Sequence, residues 1–314
     1  MYHFIVNPVS KSGRGLHLWK TIIEPTLQQK KIVYQVYLSE RAGEIPHLAK
    51  QIAKEAGGEP VTMVILGGDG SFNEALQGIS DFSGIHFGYI PTGSSNDLAR
   101  DLGIPQDPLY ALERILNAST VHPMDLGCVS YRKEGNNGSE GKRLFAVSCG
   151  IGFDAAVCVD AMHSKMKDFL NKIHLGKLTY MGIALKQIFA ARRPEAVLTL
   201  DDNSKVFLKK FLFAACMNHR FEGGGFRFCP DADDQDGILN LCAVSGLSKP
   251  VICLALPSAF PGKHYRFKGV EAYRGQTVHI HTGEPLWVHT DGEAFIKTTD
   301  ITVSCLPQAL HMIY

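Results

Sequence analysis

Within the first hundred residues, short apolar runs and amphipathic stretches take turns, and the joints between them are short. His3–Val6, Val33–Leu38, Val61–Leu66 and His86–Ile90 read as strands. Leu16–Gln29, Glu44–Ala56, Phe72–Gly78 and Asp97–Leu102 read as helices. Strand–helix alternation with short connections predicts an α/β domain built on a doubly wound parallel sheet. In such sheets a ligand lies beyond the carboxyl ends of the strands, so the loops that leave those ends carry the functional reading.

After about Asp125 the texture changes. Arg132–Gly141 (RKEGNNGSEG) is polar and rich in Gly and Asn, which predicts a hairpin tip. From Lys205 onward come β-rich runs, Val206–Met217, Gly237–Val244, Thr277–Thr282, Leu286–Thr290 and Ile301–Leu306. These predict a β-rich sandwich or open barrel. Between the two regions, Ala155–Ala191 reads as helical and basic. The predicted division is residues 1–124 and 125–305.

Bulk properties exclude several classes. The chain has 314 residues, long enough for two domains, and its 45% hydrophobic content is that of a globular protein. A net charge of +1 gives no global field for nucleic acid, so no nucleic-acid partner is expected. Eight cysteines form no CxxC pair and several sit in apolar runs, which predicts reduced, buried thiols in a reducing compartment. The opening Met1-Tyr-His-Phe-Ile-Val enters a strand directly, so no secretory signal is expected. No apolar run approaches the roughly 20 residues of a membrane span. The expected location is cytoplasmic.

Three loops at strand ends carry chemistry. Leu66-Gly67-Gly68-Asp69-Gly70-Ser71-Phe72-Asn73-Glu74 joins a strand to a helix. Its glycines admit close approach of the backbone to a ligand, and positive φ. The helix start suits phosphate, and Asp69 beside phosphate makes sense if it serves Mg²⁺ bound to a nucleotide. Ser71 and Glu74 also fit a capping box. Gly88-Tyr-Ile-Pro91-Thr92-Gly93-Ser94-Ser95-Asn96-Asp97-Leu98-Ala99-Arg100 repeats the pattern with small hydroxyl side chains and bare amides. Asp97 and Arg100, three apart, can pair on one helix face; a functional account instead gives Asp97 to the ligand cleft and Arg100 to the acceptor substrate. Val6-Asn7-Pro8-Val9-Ser10-Lys11-Ser12-Gly13-Arg14-Gly15 is the third such loop. It is not a P-loop, since GxxxxGK[ST] is absent.

Two acidic segments follow far along the chain. In His289-Thr290-Asp291-Gly292-Glu293 the two carboxylates share a face if the backbone stays extended, and one could take the proton of an acceptor hydroxyl. The alternative is a hairpin turn with solvated acids. Pro230-Asp231-Ala232-Asp233-Asp234-Gln235-Asp236-Gly237-Ile238-Leu239 is an oxygen-rich turn suited to Mg²⁺ or Ca²⁺, or a solvated acidic turn. Lys165, Lys167, Lys172, Lys177, Lys186, Arg192 and Arg193 crowd the helical region among apolar residues, either as a membrane-docking face or as a solvated one. His279 and His281 read as the polar face of a half-buried strand.

Taken in order, NP, GGDGS-x-NE, PTGSSNDLAR, a DG-x-L turn and DGE resemble the diacylglycerol kinase catalytic-domain family, in particular its soluble bacterial lipid kinases, with sphingosine kinases as more distant relatives. Ser71 stands where the family usually has threonine, and Ser94-Ser95 replace its more frequent residues. The resemblance implies an N-terminal domain similar to phosphofructokinase and NAD kinase, with residues 306–314 returning to it, and a β-rich C-terminal sandwich. It implies ATP against Asn7, Pro8, Ser10, Ser39, Gly67, Gly68, Gly70, Ser71, Asn73, Glu74, Thr92, Gly93, Ser94 and Asn96, with Asp69 serving Mg²⁺-ATP. It implies Asp291 and Glu293 as the catalytic pair, Glu293 taking the proton. A structural Mg²⁺ is implied at Asp236, with groups at Asp233 and Ile238. A lipid substrate follows, and with it peripheral contact with a membrane surface. The rivals are a soluble-substrate kinase similar to NAD kinase and a non-catalytic lipid-binding protein. The identity of the lipid and the oligomeric state, a homodimer included, stay open.

Overall fold

The structure, a computed structural model, describes residues 1–132, 140–163 and 176–314, without the side chains of residues 11, 12, 162, 163 and 176–181. The chain divides into two compact units: Met1–Asp125 with Gln308–Tyr314, and Leu126–Pro307.

The first unit is a parallel sheet. Strands β1 (Tyr2–Val6), β2 (Tyr34–Leu38), β3 (Val61–Gly67) and β4 (Ile85–Pro91) pair in the order β2-β1-β3-β4. Every pairing among them is parallel, with Tyr2 opposite both Tyr34 and Thr62, and Val61 opposite Ile85. Residues 311–313 of the chain end add a further parallel strand beside β4. The central strands are buried on both faces, which is why they read as continuous apolar runs rather than alternating ones. Helix Ile45–Ala56 lays Ile45, Ala49 and Ile52 on the sheet, one stripe of a 3.6-residue period, and Gly57 ends it in the left-handed region at φ 59°. Helix Pro108–Asn117 opens with the Asp107 carboxylate accepting from the amides of Leu109 and Tyr110.

The second unit is antiparallel. Its strands are β5 (His122–Arg132, entering from the first unit), β6 (Glu140–Phe145), β7 (Ser148–Gly152), β8 (Ala196–Thr199), β9 (Lys205–Leu208), β10 (Phe213–Met217), β11 (Leu239–Val244), β12 (Val270–Gly275), β13 (Thr277–Thr290) and β14 (Glu293–Ile313). One path runs β12-β11-β10-β7-β13-β14, with β5 and β6 joined at β14, and β8 and β9 joined at β13. The sheet branches because β13 bends. Its first half pairs with β8 and its last three residues with β7, with register shifts after His281 and after Val288. One apolar core includes Phe145, Ile151, Leu198, Phe211, Leu241 and Val288; a second gathers Phe153, Ile188, Phe213, Phe228 and Ile252.

The sequence expectations of an α/β unit followed by a β-rich one hold, with local corrections. Thr277–Thr282 and Leu286–Thr290 are one bent strand, whereas Val206–Met217 is two, β9 and β10. Lys249–Ser258 is a helix inside the region read as β-rich. Its start carries Ser248 and an early proline, but its body is apolar on several sides, so periodicity does not separate it from a buried strand. The expected hairpin tip falls on residues 133–139, outside the described residues; β5 and β6 pair antiparallel on either side, Arg132 opposite Glu140. All eight cysteines are free thiols, and burial pushes those of Cys158 and Cys242 up to about 12. Among the described residues no helix is long and apolar enough to cross a membrane.

Candidate active site

Three loops leave the carboxyl ends of β1, β3 and β4 and lock onto one another. The Asn7 amide donates to the Leu66 carbonyl, and its side-chain Nδ2 donates to Ser71 Oγ at 2.8 Å. The Thr92 amide donates to the Gly67 carbonyl at 2.7 Å, and Thr92 Oγ1 donates to Ser10 Oγ at 2.8 Å. The Ser39 amide, at the end of β2, donates to the Val6 carbonyl. Asn96, at φ 51°, folds its loop shut: its Oδ1 accepts from the Gly93 amide while its Nδ2 donates to the Gly93 carbonyl and to Gln106 Oε1.

Glycine is needed at Gly67, Gly68 and Gly93 for space, not for positive φ, since none of these has one. A Cβ on Gly68 would stand 3.0 Å from the Gly93 Cα, and one on Gly93 would stand 2.7 Å from the Gly68 Cα. A Cβ on Gly67 would meet Ser71 Oγ at 2.6 Å. The two loops therefore touch backbone to backbone.

Gly68 is the N-cap of helix Asp69–Gln77 in extended conformation, so Asp69 and Gly70 begin the helix. The first amides of a helix have no acceptor within it and sit at its positive end. The capping box read at Ser71 and Glu74 does not form: Ser71 lies inside the helix, and its hydroxyl accepts from Asn7. Asn73 is fully buried, its carbonyl accepting from Gln77 Nε2, while Glu74 is half-buried. Asp69 is fixed from the second loop: Tyr89 Oη donates to its Oδ1 at 3.1 Å, and the Asp97 amide donates to its Oδ2 at 2.8 Å. Tyr89, buried on β4, is a residue that the loop motifs alone do not single out. Ser94 is exposed, and the second loop borders an open depression of about 500 Å³ lined also by Ala99, Arg100 and Gln106. Arg100 and Asp97 form the pair that their spacing predicts, at 3.7 Å, with Asp97 buried.

The second unit holds the two acidic segments. Asp291 and Gly292 are the two central residues of a tight hairpin between β13 and β14, with Thr290 opposite Glu293. Both have positive φ, 49° and 83°, as a type I′ turn requires. Of the two backbones open from the sequence, extended strand or hairpin turn, the structure has the turn. Asp291 is nevertheless not a solvated turn acid: its Oδ1 accepts from the amides of Val147 and Ser148 at 2.8 and 2.9 Å, and its Oδ2 from Ala146 at 2.9 Å. Charge-assisted bonds of this kind are the strong ones. Glu293 has no hydrogen-bond or ion-pair partner among the described residues and is half-buried.

Behind the turn lies a group with no signature in the sequence. His289 Nε2 is 3.3 Å from Asp154 Oδ2 and 3.2 Å from Glu222 Oε1, and all three residues are buried. Burial raises the Asp154 carboxyl above its ordinary range, against the lowering effect of His289. Burial opposes charge on the His289 ring, but Cys158, Glu222 and the bonds to both carboxylates outweigh it and raise its proton affinity well above the usual value.

At the acidic turn, Asp233 Oδ1 accepts from the Gln235 amide at 3.0 Å, and Asp236 Oδ1 accepts from the Ile238 amide at 3.0 Å. Asp236 Oδ2 is ion-paired with Arg274 Nη2 of β12. A divalent ion at Asp236 would have to displace that guanidinium, so the donor set does not fit a ready cation site. Of the basic residues considered for membrane docking, Lys186 pairs with Asp160, Arg192 with Glu284, and Arg193 bonds the Leu247 carbonyl. Lys165, Lys167 and Lys172, and the side chain of Lys177, lie outside the described residues. His279 and His281 flank Asp300 at 3.5 and 2.8 Å on an exposed face, as the polar side of a strand does.

Comparison with known proteins agrees with this architecture. The profile of the diacylglycerol kinase catalytic domain matches residues 1–129, and that of the YegS C-terminal NAD kinase beta sandwich-like domain matches residues 147–314. A diacylglycerol kinase of Mycobacterium tuberculosis is 29% identical over 80% of this chain and 76% of its own. A diacylglycerol kinase of Bacillus subtilis is 26% identical over 92% of this chain and 88% of its own. A crystal structure of a Bacillus anthracis diacylglycerol kinase superposes with a TM-score of 0.74 at 22% identity, covering 100% of this chain and 96% of that one. A catalytic-domain match at the glycine loops, continued by a β-sandwich match through the Asp-Gly turn, places this chain in the diacylglycerol kinase-like family of lipid kinases.

Proposed function

We propose that this chain transfers the γ-phosphoryl of Mg-ATP to the hydroxyl of a lipid, diacylglycerol or a related alcohol. The observation that carries this reading is the interlock of the three strand-end loops. Their side chains are spent on one another, Asn7 on Ser71 and Thr92 on Ser10, and the Gly93 amide is spent on Asn96, so that backbone amides at Gly68–Ser71 and Ser94–Ser95 form the ligand surface. Bare amides at a helix start suit a polyphosphate. Asn7, Pro8, Ser10, Ser39 and Thr92 frame the nucleotide in this reading, and Asp69, held by Tyr89 and the Asp97 amide, faces the metal that travels with it. Magnesium bound to the triphosphate supplies charge neutralisation when present.

In the reaction, Glu293 accepts the acceptor hydroxyl's proton, the hydroxyl oxygen bonds to the γ-phosphorus, and the bond from that phosphorus to the bridging oxygen breaks, releasing ADP. Asp291 is assigned a positioning role, because its carboxylate is spent on three amides. Arg100 is assigned to the acceptor side of the second loop. The protein works from the aqueous face and meets its substrate at a membrane surface. No step runs through a metal at Asp233, Asp236 and Ile238, since Arg274 already neutralises Asp236.

A radiolabelled-ATP screen against vesicles carrying diacylglycerol, a prenyl alcohol, phosphatidylglycerol or a sphingoid base tests the reading. Magnesium-dependent label in one lipid class is the expected result. Label transferred to NAD instead, with none in any lipid, overturns it in favour of a soluble-substrate kinase.

A further inference from the structure

The hairpin that carries Glu293 is clamped at two points. One is Asp291, whose carboxylate and amide bind residues 146–148. The other is the Gly292 amide, which donates to His289 Nδ1 at 3.2 Å. That second bond fixes the state of the ring. A nitrogen that accepts an N–H carries no proton of its own, so the ring proton is on Nε2. Nε2 points between Asp154 and Glu222, which offer it acceptors at 3.3 and 3.2 Å. The Gly292 N–H keeps Nδ1 bare against the pull of the carboxylates, which raises the ring's proton affinity; the proton they attract is held on the Asp154 carboxyl, which burial raises above its ordinary range.

The group is built, not incidental. Asp154 Oδ1 accepts from the Ala155 amide, which sets its other oxygen toward His289. Glu222 is held in a backbone bridge with Phe226, and its Oε2 is buried without a hydrogen-bond partner. A Cβ on Gly150, directly opposite His289, would stand 1.9 Å from Asp154 Oδ2 and 2.4 Å from His289 Nε2. Only glycine lets β7 run this close to the ring. Two carboxylates and an imidazole buried together contribute little net stability compared with apolar residues of the same volume. What they supply is orientation, as a second carboxylate shell does for other functional histidines.

We propose that His289 is a positioning residue for the phosphotransfer proposed above. Asp154 and Glu222 hold its Nε2–H, and its bare Nδ1 fixes the Gly292 amide, which sets the direction in which the Glu293 side chain leaves the turn. The inference rests on Glu293 as the proton acceptor. A divalent ion on Nε2 is disfavoured by the same bond, because a metal-bound neutral ring carries its proton on Nδ1 and would face the Gly292 N–H donor to donor.

The test has a spectroscopic arm and a kinetic arm, both on the full chain. Long-range ¹⁵N–¹H spectra of histidine-labelled protein are expected to show one ring with Nε2 protonated and Nδ1 bare, a signal absent from His289→Gln. A protonated Nδ1 at this ring, or about one divalent metal ion per chain lost with His289→Gln, overturns the inference whatever the activity. The kinetic arm compares two amides. In His289→Asn the side-chain oxygen can take the place of Nδ1 but reaches neither carboxylate. In His289→Gln an N–H can reach the carboxylates but no acceptor meets Gly292. The expected outcome is a crossing. His289→Gln loses about tenfold in kcat with KM for ATP unchanged, one hydrogen bond's worth, yet melts at the higher temperature of the two. His289→Asn keeps kcat closer to wild type and melts lower. If kcat simply follows melting temperature across the pair, the residue is structural and the inference is wrong. A wild-type chain that phosphorylates no lipid overturns the kinase reading and the positioning role together, which separates that failure from the others.

Discussion

The glycine loops of the first unit and the Asp-Gly turn of the second are rigid for different reasons. The loops are held by proximity: Gly68 and Gly93 meet backbone to backbone, and neutral bonds such as Asn7–Ser71 and Thr92–Ser10 complete the lock. The turn is held by charge: Asp291 on three amides, and His289 between two buried carboxylates. The difference matches what each region has to offer a ligand. A polyphosphate is met by many amides at fixed spacing, which small residues provide. A proton acceptor must be a single carboxylate held by its backbone and not by its own side chain, and Glu293 is the acid of the turn that has no partner among the described residues.

The sharpest break of this comparison is at Glu293. Glu293→Gln is expected to lower kcat by roughly 10²–10⁴-fold, the usual weight of a general base, with an unchanged thermal midpoint. Steady-state phosphotransfer and calorimetry on one preparation check it, and near-normal turnover removes Glu293 from the chemistry. Asp291→Asn should behave oppositely. It turns an acceptor oxygen into an N–H donor among three amides and should cost about 3 kcal/mol of stability by charge-assisted bonds lost. Denaturant unfolding measures it, and a midpoint shift near zero contradicts the clamp.

On the loop side, Gly93→Ala and Gly68→Ala each push a methyl against backbone that cannot rotate away, for about 1–3 kcal/mol. Gly93→Ala should cost more, since its Cβ also meets Asn96 Oδ1 at 2.6 Å. Nucleotide binding measured by calorimetry should weaken in both, Gly93→Ala further. Equal affinities for the two variants and wild type would mean that the contact does not shape the nucleotide loops.

The fold was legible because its main cues are local. Buried parallel strands show as apolar runs, and the helix of residues 45–56 shows as one stripe. The three loops were legible for the same reason, since small residues at strand ends announce close approach. Two things were not. The conformation of Asp291 stayed open between an extended strand and a hairpin turn, although Asp-Gly between alternating apolar runs is the strongest short signal of a two-residue hairpin. Asp154, Glu222 and His289 could not be grouped at all. They come from a helix start, a loop and a strand end 135 positions apart at the extremes. Nothing in a linear chain marks three polar residues as sharing one buried point; at most, the acid inside the apolar stretch GIGFDAAV is out of place.

A smaller effect is expected at Tyr89, whose hydroxyl reaches from β4 to Asp69. Tyr89→Phe keeps the buried ring and its contact with Phe72 and removes only the donor. The expected cost is about 1 kcal/mol, seen mainly as a weaker magnesium dependence of kcat as Asp69 loses its fixed orientation. An unchanged magnesium titration would show that Asp69 keeps its orientation without the Tyr89 hydroxyl.

The smallest expected effect is at the acidic turn, where charge holds structure without chemistry. Arg274 is more than half exposed and Asp236 a quarter exposed, so water screens the pair. Arg274→Ala should therefore change stability by no more than about 1 kcal/mol. With the guanidinium in place, adding magnesium or chelator should leave the thermal midpoint unchanged in the absence of nucleotide. In Arg274→Ala the uncompensated Asp236, beside Asp231, Asp233 and Asp234, becomes free to take a cation, and magnesium should then raise the midpoint. A midpoint that already rises with magnesium in the wild-type protein would mean that an ion outcompetes Arg274. The turn would then belong with the metal-dependent parts of the molecule and not with those held by their own charges.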